Sequence, residues 1–119
     1  MKPFFSDKDR ANLLAMLDAI GKIQRFTKDL NTPDDFINDE ETFDATLMNF
    51  VIIGESVARL SESLKGYYSG IVWQKIKGFR NIVVHDYFGV DAAEVWQIIQ
   101  KFLPVLKKEL EEIISRESH

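Results

Sequence analysis

The stretch Gly78-Phe79-Arg80-Asn81-Ile82-Val83-Val84-His85-Asp86-Tyr87 sets an arginine, an amide, an imidazole and a phenol around an apolar run. Such groups are costly to bury without partners, so they either satisfy one another or face a cleft. The spacing of Trp73, Ile76, Phe79 and Val83 predicts a helix over residues 71–86. Ile82-Val83-Val84 is rich in β-branched residues, as is Val51-Ile52-Ile53. Each run is too short for a strand and sits inside a helical pattern.

Helical geometry limits what this segment does alone. Asn81 and His85, four apart, share a face, and so do Arg80 and Tyr87, seven apart. Arg80 and His85, five apart, point roughly 140° away from each other around the axis. One helix therefore does not aim both at one phosphate. The helix could end near Asp86, before Gly89, which would free Tyr87. Alternatively, two copies could face each other across a two-fold axis, so that Arg80 of one subunit and His85 of the other converge.

The flanking segments read as further helices. Ser6 is a good N-cap, and Asp9 three residues on suggests a capping box with Asp in place of Glu. Leu13, Leu14, Leu17, Ile20, Ile23 and Leu30, with Met16 and Phe26 beside them, predict a first helix ending near Leu30, where Asn31-Thr32-Pro33 stops it. Thr32-Pro33 can open a short extra helical turn near residues 33–38. Asp29, Asp34, Asp35, Asp39, Glu40, Glu41 and Asp44 form an acidic stretch with no Lys or Arg. It reads as a solvated link and an acid-rich helix start, favoured by the helix dipole, or as an electronegative surface for a basic partner.

A second helix is expected over 40–64, with Phe43, Leu47, Phe50, Val51, Val57, Leu60 and Leu64 on its apolar face and Gly66 as C-cap. Tyr67-Tyr68-Ser69-Gly70 reads as a loop. After Gly89, Asp91 caps a fourth helix, with Glu94 at the capping-box position and Pro104 kinking or breaking it. The tail is expected to fray from Ser115. Four amphipathic helices with short connections make an all-α, antiparallel up-and-down four-helix bundle, a single domain over 1–119.

Composition narrows the function. The chain is 45% apolar and 29% charged, as soluble globular proteins are. It has no cysteine, hence no disulfide or thiol chemistry, and its histidines are His85 and the terminal His119, which makes a protein-only zinc site improbable. Glycine-rich phosphate loops are absent. The N-terminus lacks the long apolar run of a signal peptide, and no segment is apolar enough to span a membrane, so a cytoplasmic location is the expectation. A net charge of −4 excludes a basic coat over the whole surface. Lys75, Lys77 and Arg80 nevertheless collect locally, and phosphate contacts need only a few such residues. Tyr67 and Tyr68 could stack on bases, or simply cap an edge of the core.

The pattern Arg80-Asn81…His85-Asp86-Tyr87 resembles the HEPN superfamily, and within it the HepT-like toxins. Gly54-Glu55-Ser56 in an apolar helix, Trp73 ahead of the arginine, Phe88 after the tyrosine, Val95-Trp96 and Leu103-Pro104 extend the likeness over nearly the whole chain. Val72 stands where many relatives have proline, which bears on a helix start and not on the chemistry. The resemblance implies a metal-independent endoribonuclease with no cofactor, acting on RNA such as tRNA or mRNA. Arg80 and His85 would be catalytic, in a composite site across a homodimer, with Asn81 supporting them. By composition Glu55 is a solvent-facing glutamate; the resemblance implies that it pairs with Arg80 and orients it. The resemblance also implies an MntA-like minimal nucleotidyltransferase antitoxin that transfers AMP from ATP to Tyr87. A different class of function stands beside this: a non-catalytic module that binds a nucleotide or docks a nucleotidyltransferase, with Arg80, Asn81, His85 and Tyr87 as a satisfied polar interface.

Overall fold

In the computed structural model, which describes residues 4–117, the Ser6 side chain accepts a hydrogen bond from the Asp9 amide and opens α1 (Asp7–Thr27). The helix ends three residues before the predicted Leu30. The Thr27 hydroxyl donates back to the Ile23 carbonyl at 2.9 Å, and the Leu30 amide closes a turn onto the Thr27 carbonyl. Leu13, Met16, Ile20 and Ile23 are buried as expected, while Leu14 and Phe26 are exposed.

The short turn expected near 33–38 is α2 (Pro33–Asn38). Thr32 and Asp35 form its capping box, and Pro33 occupies the first turn, where a missing N–H costs nothing. Asp35 accepts from the Asn31 and Thr32 amides, and these bonds, that from Asn31 foremost, hold its carboxyl below the usual range. Phe36 turns inward onto Phe43 and Trp96. Asp39 then caps α3 (Glu40–Arg59), so much of the acidic stretch lies at two helix N-termini.

The expected single helix over 40–64 is two. After Arg59 the backbone extends at Leu60 (φ −68°, ψ 146°) and restarts as α4 (Glu62–Tyr67), with Gly66 inside that helix and Tyr68 as its C-cap. The break is held from far away in sequence. The Ser61 amide and hydroxyl donate to the two oxygens of Asp9, at 2.8 and 2.6 Å, while the same hydroxyl accepts from the Leu64 amide. The Asp9 side chain therefore serves α4 rather than the capping box expected in α1.

Helix α5 (Trp73–His85) follows, and the Trp73 indole donates to the Lys65 and Tyr68 carbonyls. Its N-cap, Val72, makes no side-chain cap bond. The helix ends one residue earlier than the predicted Asp86 and passes into a 3-10 turn over Tyr87–Gly89. At Gly89 the exposed Asp86 carboxylate lies in the space a Cβ would take.

Asp91 caps α6 (Ala92–Gln97) by accepting from the Ala93 and Glu94 amides. A π-turn over Ile98–Phe102 leads into α7 (Leu103–Glu117). The expected disturbance at Pro104 is thus a local break in the α-helix, and α7 runs on past the proline. The turn before it widens, with the Leu103 amide reaching the Ile98 carbonyl five residues back, and this accommodates the proline ring. The expected fraying from Ser115 is not found up to Glu117, whose carboxylate accepts from Tyr68 Oη at 2.5 Å.

The result is an all-helical up-and-down bundle of α1, α3, α5 and the α6–α7 arm. Helix α3 packs between α1 and α5, α7 lies on α1, and α2 bridges α3 and α6. Where α5 and α7 diverge, an apolar cavity of about 440 Å³ opens, lined by Phe50, Ile53, Ile76, Phe79, Phe102 and Leu106 among others. Among the described residues no helix is long and apolar enough to cross a membrane, and no cluster of His, Asp or Glu could hold a metal ion.

Candidate functional site

The site begins at the crossing of α3 and α5. Gly54 is buried in α3, and a Cβ there would collide with Cβ and Cγ of Arg80. The glycine lets α5 approach closely enough for the arginine stem to lie across α3. The next residue, Glu55, then meets the guanidinium. Arg80 Nε donates to Glu55 Oε1 at 2.8 Å, and Arg80 Nη2 donates to the same oxygen. Arg80 Nη1 donates to Asn81 Oδ1 at 2.5 Å.

These bonds use three of the five N–H groups of a guanidinium and leave two for an anion. The pair is only partly covered, at 24% side-chain exposure for Arg80 and 39% for Glu55. An ion pair this wet adds about 1 kcal/mol or less to stability, so its consequence is orientation.

His85 is the last residue of α5. It is exposed, and its side chain makes no hydrogen bond among the described residues. Lys77, Asn81 and His85 follow one another at four-residue steps and form an exposed strip. Arg80 itself points elsewhere, as the five-residue spacing predicts. Its bond to Asn81 carries the guanidinium round to that strip, one helical turn from His85.

Tyr87 does not share the face of Arg80, because the helix has ended before it. Its ring meets Phe43 and Phe88 edge-on, at centroid distances of 6.5 and 5.6 Å. Its hydroxyl donates to Asp44 Oδ1 of α3. That bond, with lesser effects of desolvation and of the Asp44 and Glu40 charges, pushes the phenol up to about 12.

The remaining candidates are spread along α5. Lys77 is exposed; Lys75 is exposed too and borders the apolar cavity. Tyr67 and Tyr68 stack edge-on at 5.0 Å, and burial, with the bond from Tyr68 Oη to Glu117 next, raises the Tyr68 phenol to about 12. Both sit near the start of α5, whereas His85 is its end, about 20 Å of helix away. Two contributors escaped the sequence reading. Asp44 looked like one acid among many, and its signal is only its place in the helix behind Phe43. Gly54 was visible as a glycine in an apolar run, without the contact that explains it.

Comparison with known proteins gives the family. Residues 16–113 match the family described as Ribonuclease HepT-like. A Methanocaldococcus jannaschii protein named "Putative RNase" is 31% identical over 86% of this chain and 93% of its own length. A Thermococcus cleftensis protein named "Probable ribonuclease HepT" is 30% identical over 81% of this chain and 86% of its own. A gamma-glutamylcyclotransferase and RNase of the same Methanocaldococcus, the RNase part again named as putative, is 34% identical over 83% of this chain. There the match spans only 44% of the longer protein. No solved structure gives a significant match. With the match running from α1 into α7, the chain belongs to the HepT-like ribonuclease family.

Proposed function

We propose that this protein is the toxin of a toxin–antitoxin pair, a metal-independent endoribonuclease that works as a homodimer. The observation that carries the reading is the Glu55–Arg80–Asn81 array, which holds an arginine with two open N–H groups one helical turn from the exposed His85. Exposed apolar side chains surround it: Met48 and Ile52 on α3, Ile82 and Val84 on α5, and Phe88 beyond. Such a patch around a polar site favours a second copy across it, and a second copy supplies the second histidine the chemistry requires.

In this reading one His85 takes the proton of a ribose 2′-hydroxyl. The 2′-oxygen attacks the adjacent phosphorus, and Arg80 neutralises the charge gathering on the phosphoryl oxygens. The bond to the 5′-oxygen breaks, and the other subunit's His85, as imidazolium, protonates that oxygen. The products are a 2′,3′-cyclic phosphate and a 5′-hydroxyl. Every proton and charge is handled by imidazole and guanidinium, so no metal is called on.

Tyr87 is the control point in the same proposal. An MntA-like minimal nucleotidyltransferase transfers AMP onto its hydroxyl. The new phosphodiester loses the phenol proton that held Asp44 and is repelled by Asp44 and Glu40. The open N–H groups of Arg80 attract it. There it takes the place of the RNA phosphate, and the adenosine fills the cleft. The test is incubation of purified protein with total RNA in EDTA. Cleavage ending in 2′,3′-cyclic phosphate, lost in His85→Ala, is expected. Intact RNA would instead favour a non-catalytic module that docks the nucleotidyltransferase.

A further inference from the structure

We propose that Asp44 is the general base for adenylylation of Tyr87, so that the protein being modified supplies the group that takes up the phenol proton. This rests on the reading of Tyr87 as the acceptor of AMP.

The geometry is that of a nucleophile already paired with its base. The Tyr87 hydroxyl donates to Asp44 Oδ1, so the proton points at its acceptor. The ring is steadied by Phe43, the neighbour of Asp44 on α3, and by Phe88. Tyr87 is 37% exposed, which leaves its oxygen open to a phosphorus arriving from solvent. Asp44 and Glu40 are the charges that face the phenol from α3. On Tyr87's own segment the Asp86 carboxylate lies against Gly89, and His85 closes the preceding helix.

A free phenolate is not available to do this chemistry. With the phenol pushed up to about 12, ionised Tyr87 at neutral pH is on the order of one molecule in 10⁵. Proton removal during attack is therefore required, as when the aspartate of a kinase catalytic loop accepts a substrate hydroxyl proton. A lone pair of Tyr87 Oη forms a bond to the α-phosphorus of ATP. The bond from that phosphorus to the oxygen bridging the α- and β-phosphates breaks, and its electrons leave with pyrophosphate. The proton passes to Asp44 Oδ1. ATP and magnesium come with the nucleotidyltransferase, and nothing is oxidised or reduced.

The experiment follows AMP addition by intact mass, using the whole protein, a cognate minimal nucleotidyltransferase and magnesium-ATP. Asp44→Asn keeps an oxygen for the phenol to donate to but removes the base. It should slow modification by about 10²- to 10⁴-fold. Its rate should climb about tenfold per pH unit as phenolate replaces assisted attack, whereas the wild-type rate stays level above the carboxylate range. Asp44→Glu should recover much of the loss. Circular dichroism confirms that each variant is folded. A wild-type rate in Asp44→Asn overturns the proposal, and so does a slow rate with the wild-type pH profile, which would make Asp44 a positioning residue. Faster modification would make it a restraint and overturn the proposal equally. If wild type takes up no AMP, or Tyr87→Phe takes it up as wild type does, the acceptor reading fails and this proposal fails with it.

Discussion

Gly54 of α3 lies directly against Cβ and Cγ of Arg80 on α5, so the crossing of the two helices and the placement of the arginine are one feature. Gly54→Ala should lower stability by about 1–3 kcal/mol, the usual cost of forcing a methyl into a packed contact. Arg80→Gly removes both contacted atoms, at a helix cost of about 0.5–1 kcal/mol. The double variant should then be more stable than the two single effects add up to. Urea unfolding of the four proteins gives the coupling directly, and strict additivity would mean that the contact carries no strain.

Glu55→Gln separates orientation from stability. The pair is partly exposed, so the urea midpoint should correspond to a change of about 1 kcal/mol or less. RNA cleavage should fall much further, by up to about 10²-fold, because the guanidinium loses the carboxylate that aims it. Unchanged cleavage by a well-folded variant would make Glu55 a bystander.

Asp9→Ala should unfold more easily by about 1.5–3 kcal/mol, since buried Asp9 is the acceptor for both the amide and the hydroxyl of Ser61. The damage should centre on the junction of α3 and α4. Hydrogen exchange would show it as lost protection near Ser61 and Leu64, with the Arg80 region left in place. A uniform loss along the chain would contradict a local clamp.

Local signals were enough for the helical class and for most boundaries. Ser6 and Asp91 cap where their side chains predict, Pro33 sits in the first turn of α2, and the apolar period of α1, α3 and α5 faces the core. What escaped depends on residues far apart in sequence. Leu60 and Ser61 carry an apolar and capping pattern that a continuous helix would also fit; only Asp9, 52 residues away, decides for the break. Pro104 announces a disturbance but not its form, because a π-turn relieves the proline through the backbone upstream. The same holds at the site. The angle between Arg80 and His85 was legible from spacing, whereas the bond that carries Arg80 towards Asn81 and the turn that hands Tyr87 to Asp44 required the fold.

Tyr87 and Tyr68 predict a stability change at high pH. Each phenol is raised from its ordinary 10 to about 12, Tyr87 chiefly by its bond to Asp44, Tyr68 chiefly by desolvation with Glu117 next. A group raised on folding stabilises the protein fully below its unfolded value and loses that contribution as pH rises through the folded one. Stability should therefore hold to about pH 10 and decline between about 10 and 12. Ultraviolet titration of tyrosinate should show Tyr87 ionising late in wild type and nearer 10 in Asp44→Asn. Identical titration curves would mean that the bond to Asp44 does not persist in solution.

The composite site predicts how mixed dimers behave. Arg80→Ala and His85→Ala homodimers should each be inactive in RNA cleavage and non-toxic. The shared site uses one His85 as base and the other as acid, so a dimer with a single intact His85 should be inactive too. Co-refolding wild type with an equal amount of His85→Ala leaves about a quarter of the dimers fully wild type, so about a quarter of the activity of an all-wild-type sample should remain. If each site were built within one subunit, about half would remain. The size of the protein in light scattering supplies the independent control, since a monomer would have no second subunit with which to share a site.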